Sequence, residues 1–366
     1  MKAPLFIGLM SGTSMDGVDA VLASFGPQEG AQIHQTHSLT MPAALRDELL
    51  ALQHPGHNEL ARASLAALQL TELYAQACLP WIQGPEKDLI RAIGVHGQTI
   101  RHAPEQGYTL QLNAPALLAE RCAVDVIADF RSRDIAAGGQ GAPLVPIVHE
   151  ALFRHVHGRV ILNLGGIANI SLLLPGRDVF GFDTGPANML LDAWVNKHEG
   201  QPYDKDGQWA NSAASDPALL ASLLSESWFA LPAPKSTGRD LFNLGWLQEH
   251  LDRVDPKGEL QPATVQSTLM DLTVHSVAQA IQPYADQIQE LIVCGGGAAN
   301  PAMLKRLGDL VAMPIRSSAE LGMDPQSIEA LAFAWLAYAH IERIPAGLPA
   351  VTGARRATVL GACYPA

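Results

Sequence analysis

Leu5-Phe6-Ile7-Gly8-Leu9-Met10-Ser11-Gly12-Thr13-Ser14-Met15-Asp16-Gly17-Val18-Asp19 reads as an apolar strand over 5–10, a tight turn over 11–16 and a strand returning over 18–25. The six apolar residues are bounded by glycine and polar turn formers, the pattern of a buried strand entering a hairpin. Small hydroxyl side chains and successive backbone N–H groups in this turn can form a nest for an anion such as phosphate. Lys2 before the apolar run superficially suggests a secretory start. The run is too short for one, and it leads into Gly12, Asp16 and Asp19 with no small-residue cleavage site.

Two further glycine-bearing turns stand downstream, Asn163-Leu164-Gly165-Gly166-Ile167-Ala168-Asn169 and Cys294-Gly295-Gly296-Gly297-Ala298-Ala299-Asn300. The first lies in an expected meander of strands over 159–164, 169–174 and 179–182, which opens a second sheet. The other ends an apolar strand over 290–294 and precedes a helix starting near Asn300 and Pro301, where an adenosine moiety can approach the backbone. Both halves thus start with a glycine-bearing strand and turn, which implies two α/β domains of related architecture. Apolar periodicity predicts helices over 43–52, 59–78, 187–198, 217–229, 241–251 and 263–280. A last helix over 328–341 is expected to start with Asp324 as N-cap and Pro325 at its first position. Short strands are expected over 89–95, 109–112 and 125–128, and the segment 131–143 reads as a loop crossing between the halves.

Composition closes several other doors. The chain has 366 residues, 48% of them hydrophobic, enough for a sizeable core and for two domains. Its formal net charge of -12 comes with no basic block to neutralise a phosphate backbone, so nucleic acid is not expected as a partner. Cys78, Cys122, Cys294 and Cys363 lie far apart, without zinc or redox spacing, as for reduced thiols in a cytosolic protein. The apolar run 331–341 is about half of the roughly 20 residues a bilayer needs, so no membrane span is expected. Neither a Walker A loop nor a strand-helix GxGxxG fingerprint is present, and no histidine has HExxH context.

The order of the three turns resembles the phosphate-1, phosphate-2 and adenosine elements shared by actin, heat-shock ATPase chaperones and sugar kinases. In one respect the chain departs from that pattern. The Asp that usually stands four residues before the Thr of the first element is Leu9 here, with Asp16 and Asp19 following later, so the hexokinase metal scheme does not carry over. A narrower resemblance covers most of the chain. Gly8 through Asp19 resembles the N-terminal signature of the anhydro-N-acetylmuramic acid kinases. His96-Gly97-Gln98-Thr99, Asp129-Phe130-Arg131, Gly138-Gly139-Gln140-Gly141-Ala142-Pro143, Asn163 to Asn169, Phe182-Asp183-Thr184-Gly185-Pro186 and Thr237-Gly238-Arg239 are similar to further motifs of that family in the same order.

The resemblance implies a two-domain actin-like ATPase (sugar kinase) fold of the α/β class, with ATP and Mg2+ in a cleft between the domains. Domain I is expected over 1–130 with about 345–366, and domain II over 131–344. The implied reaction is phosphorylation of an amino sugar, 1,6-anhydro-N-acetylmuramic acid, at O6 with hydrolytic opening of its ring, in the cytoplasm and by a homodimer. Gly12, Thr13, Ser14, Met15, Asp16, Gly17, Val18, Asp19, Gly165, Gly166, Gly295, Gly296 and Gly297 would hold the nucleotide. Asp183 is expected to be the base that activates water; standing alone it would fit an Asx turn or a helix cap, and Asp129 is its rival. Arg131 would hold the sugar's lactyl carboxylate, or else serve a surface ion pair. His96 and Glu329 would line the sugar site, the alternatives being a structural histidine and an acid favoured by the helix dipole. The metal ligands stay open. Two other functions fit the same residues less closely: a hexosamine kinase without ring opening, and a nucleotide-switched regulatory protein.

Overall fold

A computed structural model describes residues 3–12, 15, 17–26 and 30–366. The described chain divides into two compact units, residues 1–152 with 326–366, and residues 153–325. In chain order the strands of the first half are β1 (Leu5–Met10), β2 (Gly17–Gly26), β3 (Gly30–Thr40), β4 (Ile90–Val95), β5 (Gln98–Ala103), β6 (Tyr108–Leu112) and β7 (Val126–Ala128). They are followed by β8 (Arg159–Leu164), β9 (Ile167–Leu173), β10 (Phe180–Pro186), β11 (Glu290–Cys294), β12 (Ile315–Ser317) and β13 (Ala362–Tyr364).

The first unit holds a six-stranded sheet in the order β13-β7-β4-β1-β2-β3, beside a two-stranded sheet of β5 and β6. Strands β1, β2 and β3 run antiparallel, as hairpin connections require, while β4 is parallel to β1 and β7 to β4. The second unit repeats the plan. Its sheet runs β10-β9-β8-β11-β12, with β8, β9 and β10 antiparallel, β11 parallel to β8 and β12 parallel to β11. Each parallel step is reached through helical segments, among them Glu59–Ile82 before β4 and Pro262–Ile281 before β11.

Why β1 sits at the centre of its sheet follows from its alternation. Leu5, Ile7 and Leu9 point to one face and join a core with residues of the helices Ala43–Ala51 and Glu59–Ile82. Phe6 points to the other and packs with Leu331, Phe333 and Leu336 of the helix Ile328–Ile341. On that second face stand Gly8 and Gly94, paired across β1 and β4. A β-carbon on Gly8 would collide with the backbone of Ala330 and Ala334, and one on Gly94 with the backbone carbonyl of Phe333. The helix therefore lies directly on the strand backbones.

Several sequence expectations change. Residues 131–152 and 326–344, read with the second half, cluster with the first unit, since the helix Ile328–Ile341 lies on β1 and β4. Its start is not at Asp324 and Pro325 but at Ile328, because the Pro325 carbonyl accepts from the Gly295 N–H (3.0 Å) in a turn of the second unit. The loop expected over 131–143 begins as a helix, Phe130–Ala136, which buries Phe130, Asp134 and Ile135. Strands β3, β5, β12 and β13 had no counterpart in the sequence reading.

Substituting Gly94→Ala should lower the unfolding free energy by about 1–3 kcal/mol or more, because backbone atoms cannot swing aside as a side chain can. Gly308→Ala is the opposite case. Gly308 is exposed inside the helix Pro301–Leu310 and its nearest neighbour to a new β-carbon is 3.8 Å away. That change should add about 0.5–1 kcal/mol. Urea titration of both variants checks the pair; a Gly94→Ala protein as stable as the parent would contradict the helix seating.

Candidate active site

One row of residues crosses the second sheet at the carboxyl ends of β8 and β11. Cys294 pairs with Asn163, Asn163 with Asn169, and Asn169 with Asp183. Directly paired residues present their side chains on one face, so the row joins three of the motifs seen in the sequence. The ladder between β9 and β10 then shifts register between Asp183 and Gly185. A bulge at a sheet rim re-aims the side chains beside it. Asp183, 9% exposed, is held there by the passing segment 235–237. Its N–H donates to the Lys235 carbonyl (3.0 Å), and its Oδ2 accepts from the Thr237 N–H at 2.9 Å. Lys235 itself is tied down, with Nζ donating to the carbonyls of Trp228 (3.2 Å) and Phe229 (2.8 Å) and lying 4.3 Å above the Trp228 ring. Burial lowers the Lys235 pKa, against an opposing pull from the Asp183 carboxylate.

The two glycine turns of this unit touch each other. Gly165 and Gly166 turn their carbonyls to the N–H groups of Ala187, Asn188 and Met189 (3.0–3.2 Å), and so cap the helix Asn188–Glu199. Gly295 has φ of +80°, and a β-carbon there would crowd Asn163 and Leu164; one on Gly297 would lie 2.6 Å from the Leu164 β-carbon. Internal packing accounts for both glycines. At Gly296 the nearest neighbour to a β-carbon is Asn188 Nδ2, 3.9 Å away, so packing asks for no glycine.

In the first unit, Ser11 and Met15 are buried, Met15 N–H donates to Gly12 O (3.2 Å), Gly17 opens β2, and Val18 is fully buried. Asp19, half-buried, accepts from Ser38 Oγ at 2.6 Å. Thr13, Ser14 and Asp16 lie outside the described residues. His96, 5% exposed, follows β4 and rests against Phe333, ring centroids 4.7 Å apart. Its Nε2 accepts from Arg131 Nε (3.1 Å) and Nη2 (2.9 Å), while Arg131 Nη1 donates to Gly141 O (2.7 Å). The Gly141 N–H donates to buried Asp134 (2.8 Å), which also accepts from Thr352 Oγ1 (2.8 Å). Glu329 stands four residues before Phe333 on the same helix, hence on the same face. His96 thus joins Phe333 to Arg131, and Glu329 lies one turn before Phe333 on its helix. Asp129 is exposed, in left-handed backbone (φ +56°) before the helix Phe130–Ala136.

Sequence reasoning missed Asp134, Lys235 and Phe333. Asp134 is three residues after Arg131 and Phe333 four after Glu329, helical spacings that could have flagged both; Lys235 directly precedes the Ser236-Thr237-Gly238 run. Gly296→Ala should leave the unfolding free energy within about 0.5 kcal/mol of the parent. Gly295→Ala should cost more than about 1 kcal/mol from its positive φ alone. Scanning calorimetry of the two variants compares them, and equal losses would contradict this division of the turn.

The family model of the anhydro-N-acetylmuramic acid kinases matches residues 4–366. The anhydro-N-acetylmuramic acid kinase of Bordetella pertussis is 58% identical over 366 residues, covering 99% of this chain and 96% of that protein. That of Pseudomonas putida is 48% identical over 366 residues, covering 99% of each. Matched along its whole length and at this identity, the chain belongs to the anhydro-N-acetylmuramic acid kinase family.

Proposed function

We propose that this protein transfers the γ-phosphoryl group of ATP to O6 of 1,6-anhydro-N-acetylmuramic acid while water opens the anhydro ring, giving N-acetylmuramic acid 6-phosphate for cell-wall recycling. Family membership over the whole chain carries the proposal. In bond terms, water attacks C1, the C1–O6 bond breaks, and O6 attacks the γ-phosphorus as its bond to ADP breaks. The proton lost by water goes to a carboxylate, for which Asp183 is the residue we assign. Support for that role comes from its fixed geometry: two backbone hydrogen bonds at a sheet-rim bulge hold it without needing a flexible partner.

The hairpin residues Gly12, Met15, Gly17, Val18 and Asp19, with Thr13, Ser14 and Asp16, are assigned to the phosphates together with Gly165 and Gly166, and Gly295 to Gly297 to the adenosine side. Gly296, whose glycine packing does not require, is the most direct candidate for backbone approach to ATP. Mg2+, when bound, would neutralise the charge that develops on the transferring phosphoryl group. Among the described residues no group of three or more His, Cys, Asp or Glu converges. A Mg2+ held by phosphates, waters and one or two carboxylates needs no such group. Arg131 is assigned to the lactyl carboxylate and Glu329 to the sugar. The protein is proposed to act in the cytoplasm as a homodimer; no described helix is long and apolar enough to cross a membrane.

ADP release should depend on the anhydro sugar, and the product formed in ¹⁸O-water should carry one label, at C1. Turnover of N-acetylglucosamine but not of the anhydro sugar, or an unlabelled product, would overturn the assignment. Asp183→Asn keeps an oxygen for the Thr237 N–H but cannot take the proton, so it should fold normally and lose about 100-fold to 10,000-fold in kcat. Asp129→Asn, at a position whose left-handed backbone Asn also tolerates, should retain most activity. The reverse pattern would move the base to Asp129.

A further inference from the structure

We propose that His96 is a positioning residue for Arg131: its neutral ring accepts from one edge of the guanidinium and so turns the other end, Nη1 and Nη2, toward a carboxylate on the sugar. This rests on the function proposed above for the identity of the sugar. A guanidinium can only donate, so Nε2, within 3.1 and 2.9 Å of Nε and Nη2, must carry its lone pair toward Arg131. The ring is then the Nδ1–H tautomer and uncharged. Its Nδ1 is buried without a hydrogen-bond partner among the described residues, so the ring is held through its other contacts. The His96 N–H donates to the Leu9 carbonyl (3.1 Å), and Phe333 covers a ring face. Burial, and then the charge of Arg131, holds its pKa well below the ordinary histidine value. On the far side Gly141 O takes Nη1, and Gly141 is fixed by buried Asp134.

With the Nε–Nη2 edge used by His96, a bidentate pair with a carboxylate must be made end-on. Direct contact of His96 with the sugar, the role read from sequence, is not needed for its effect. His96 instead sets the angle from which a carboxylate is met, which makes it a determinant of preference for sugars that carry one. Lysine at 131 would offer no such edge to orient.

The experiment compares 1,6-anhydro-N-acetylmuramic acid with 1,6-anhydro-N-acetylglucosamine, which lacks the lactyl carboxylate. His96→Phe keeps the stacked ring and removes the acceptor. It should reduce the ratio of kcat/KM for the two sugars by about 10-fold or more, mainly through KM of the carboxylate sugar. His96→Gln, which restores an acceptor, should recover part of the ratio, and His96→Phe should add no further loss of ratio to Arg131→Lys. Equal losses for both sugars, or additive loss of ratio in the double variant, would overturn the proposal. A second readout needs no turnover: ¹⁵N spectra of the imidazole should show Nδ1 protonated and Nε2 bare from pH 5 to 8. A ring protonated at Nε2 would refute the proposal, whereas inactivity toward both sugars with that tautomer intact would count against the function alone.

Discussion

The first unit depends on the close seating of one helix on two glycines. Because Gly8 and Gly94 lack side chains, the helix Ile328–Ile341 meets β1 and β4 backbone to backbone. Dispersion falls off steeply with even a small radial gap, so a methyl-sized spacer would weaken the whole contact. The seat also fixes what the helix presents. Phe333 is set against both His96 and Phe130 (centroids 4.7 and 5.6 Å), and Glu329 comes one turn earlier on the same face. A glycine pair in the core thus governs the alignment of polar groups at the strand ends.

The second unit solves its positioning problem differently. There a bulge and a returning loop, not a helix, hold the key carboxylate, and the hydrogen-bond partners are backbone groups that cannot rotate away. Keeping Lys235 engaged with two carbonyls and an indole ring fixes a cationic neighbour for Asp183. Such an arrangement stabilises negative charge by proximity while the Thr237 N–H orients the carboxylate. Preorganisation of this kind lowers the reorganisation needed when a proton moves.

Much of this was legible in the chain. A run such as Leu5 to Met10, apolar on both alternating faces, has few alternatives to a central strand, and the β8-β9-β10 meander follows from its turn residues. Strand β3 was not legible: Gly30–Thr40 is largely polar because it is an edge strand whose side chains are half-buried or exposed. The helix Phe130–Ala136 was obscured by the glycines that follow it. Placement of Ile328–Ile341 in the first unit depends on contacts with residues more than 200 positions away, which local periodicity does not encode. Of the candidate site, the motifs were readable but their division of labour was not. Glycines at 295 and 297 answer to Leu164, and a sequence writes them no differently from Gly296.

Connectivity gives the repeated plan an asymmetry in time. The second unit is continuous, residues 153–325, whereas the first is split around it. As the chain leaves the ribosome, β1 to β7 emerge before the helix that covers one of their faces and before β13, which pairs with β7. Domains ordinarily complete in the order of synthesis. Here the later-encoded unit has all its parts first, and the earlier one must wait with Phe6, Gly8 and Gly94 uncovered, a surface that nascent-chain holdases are suited to shield.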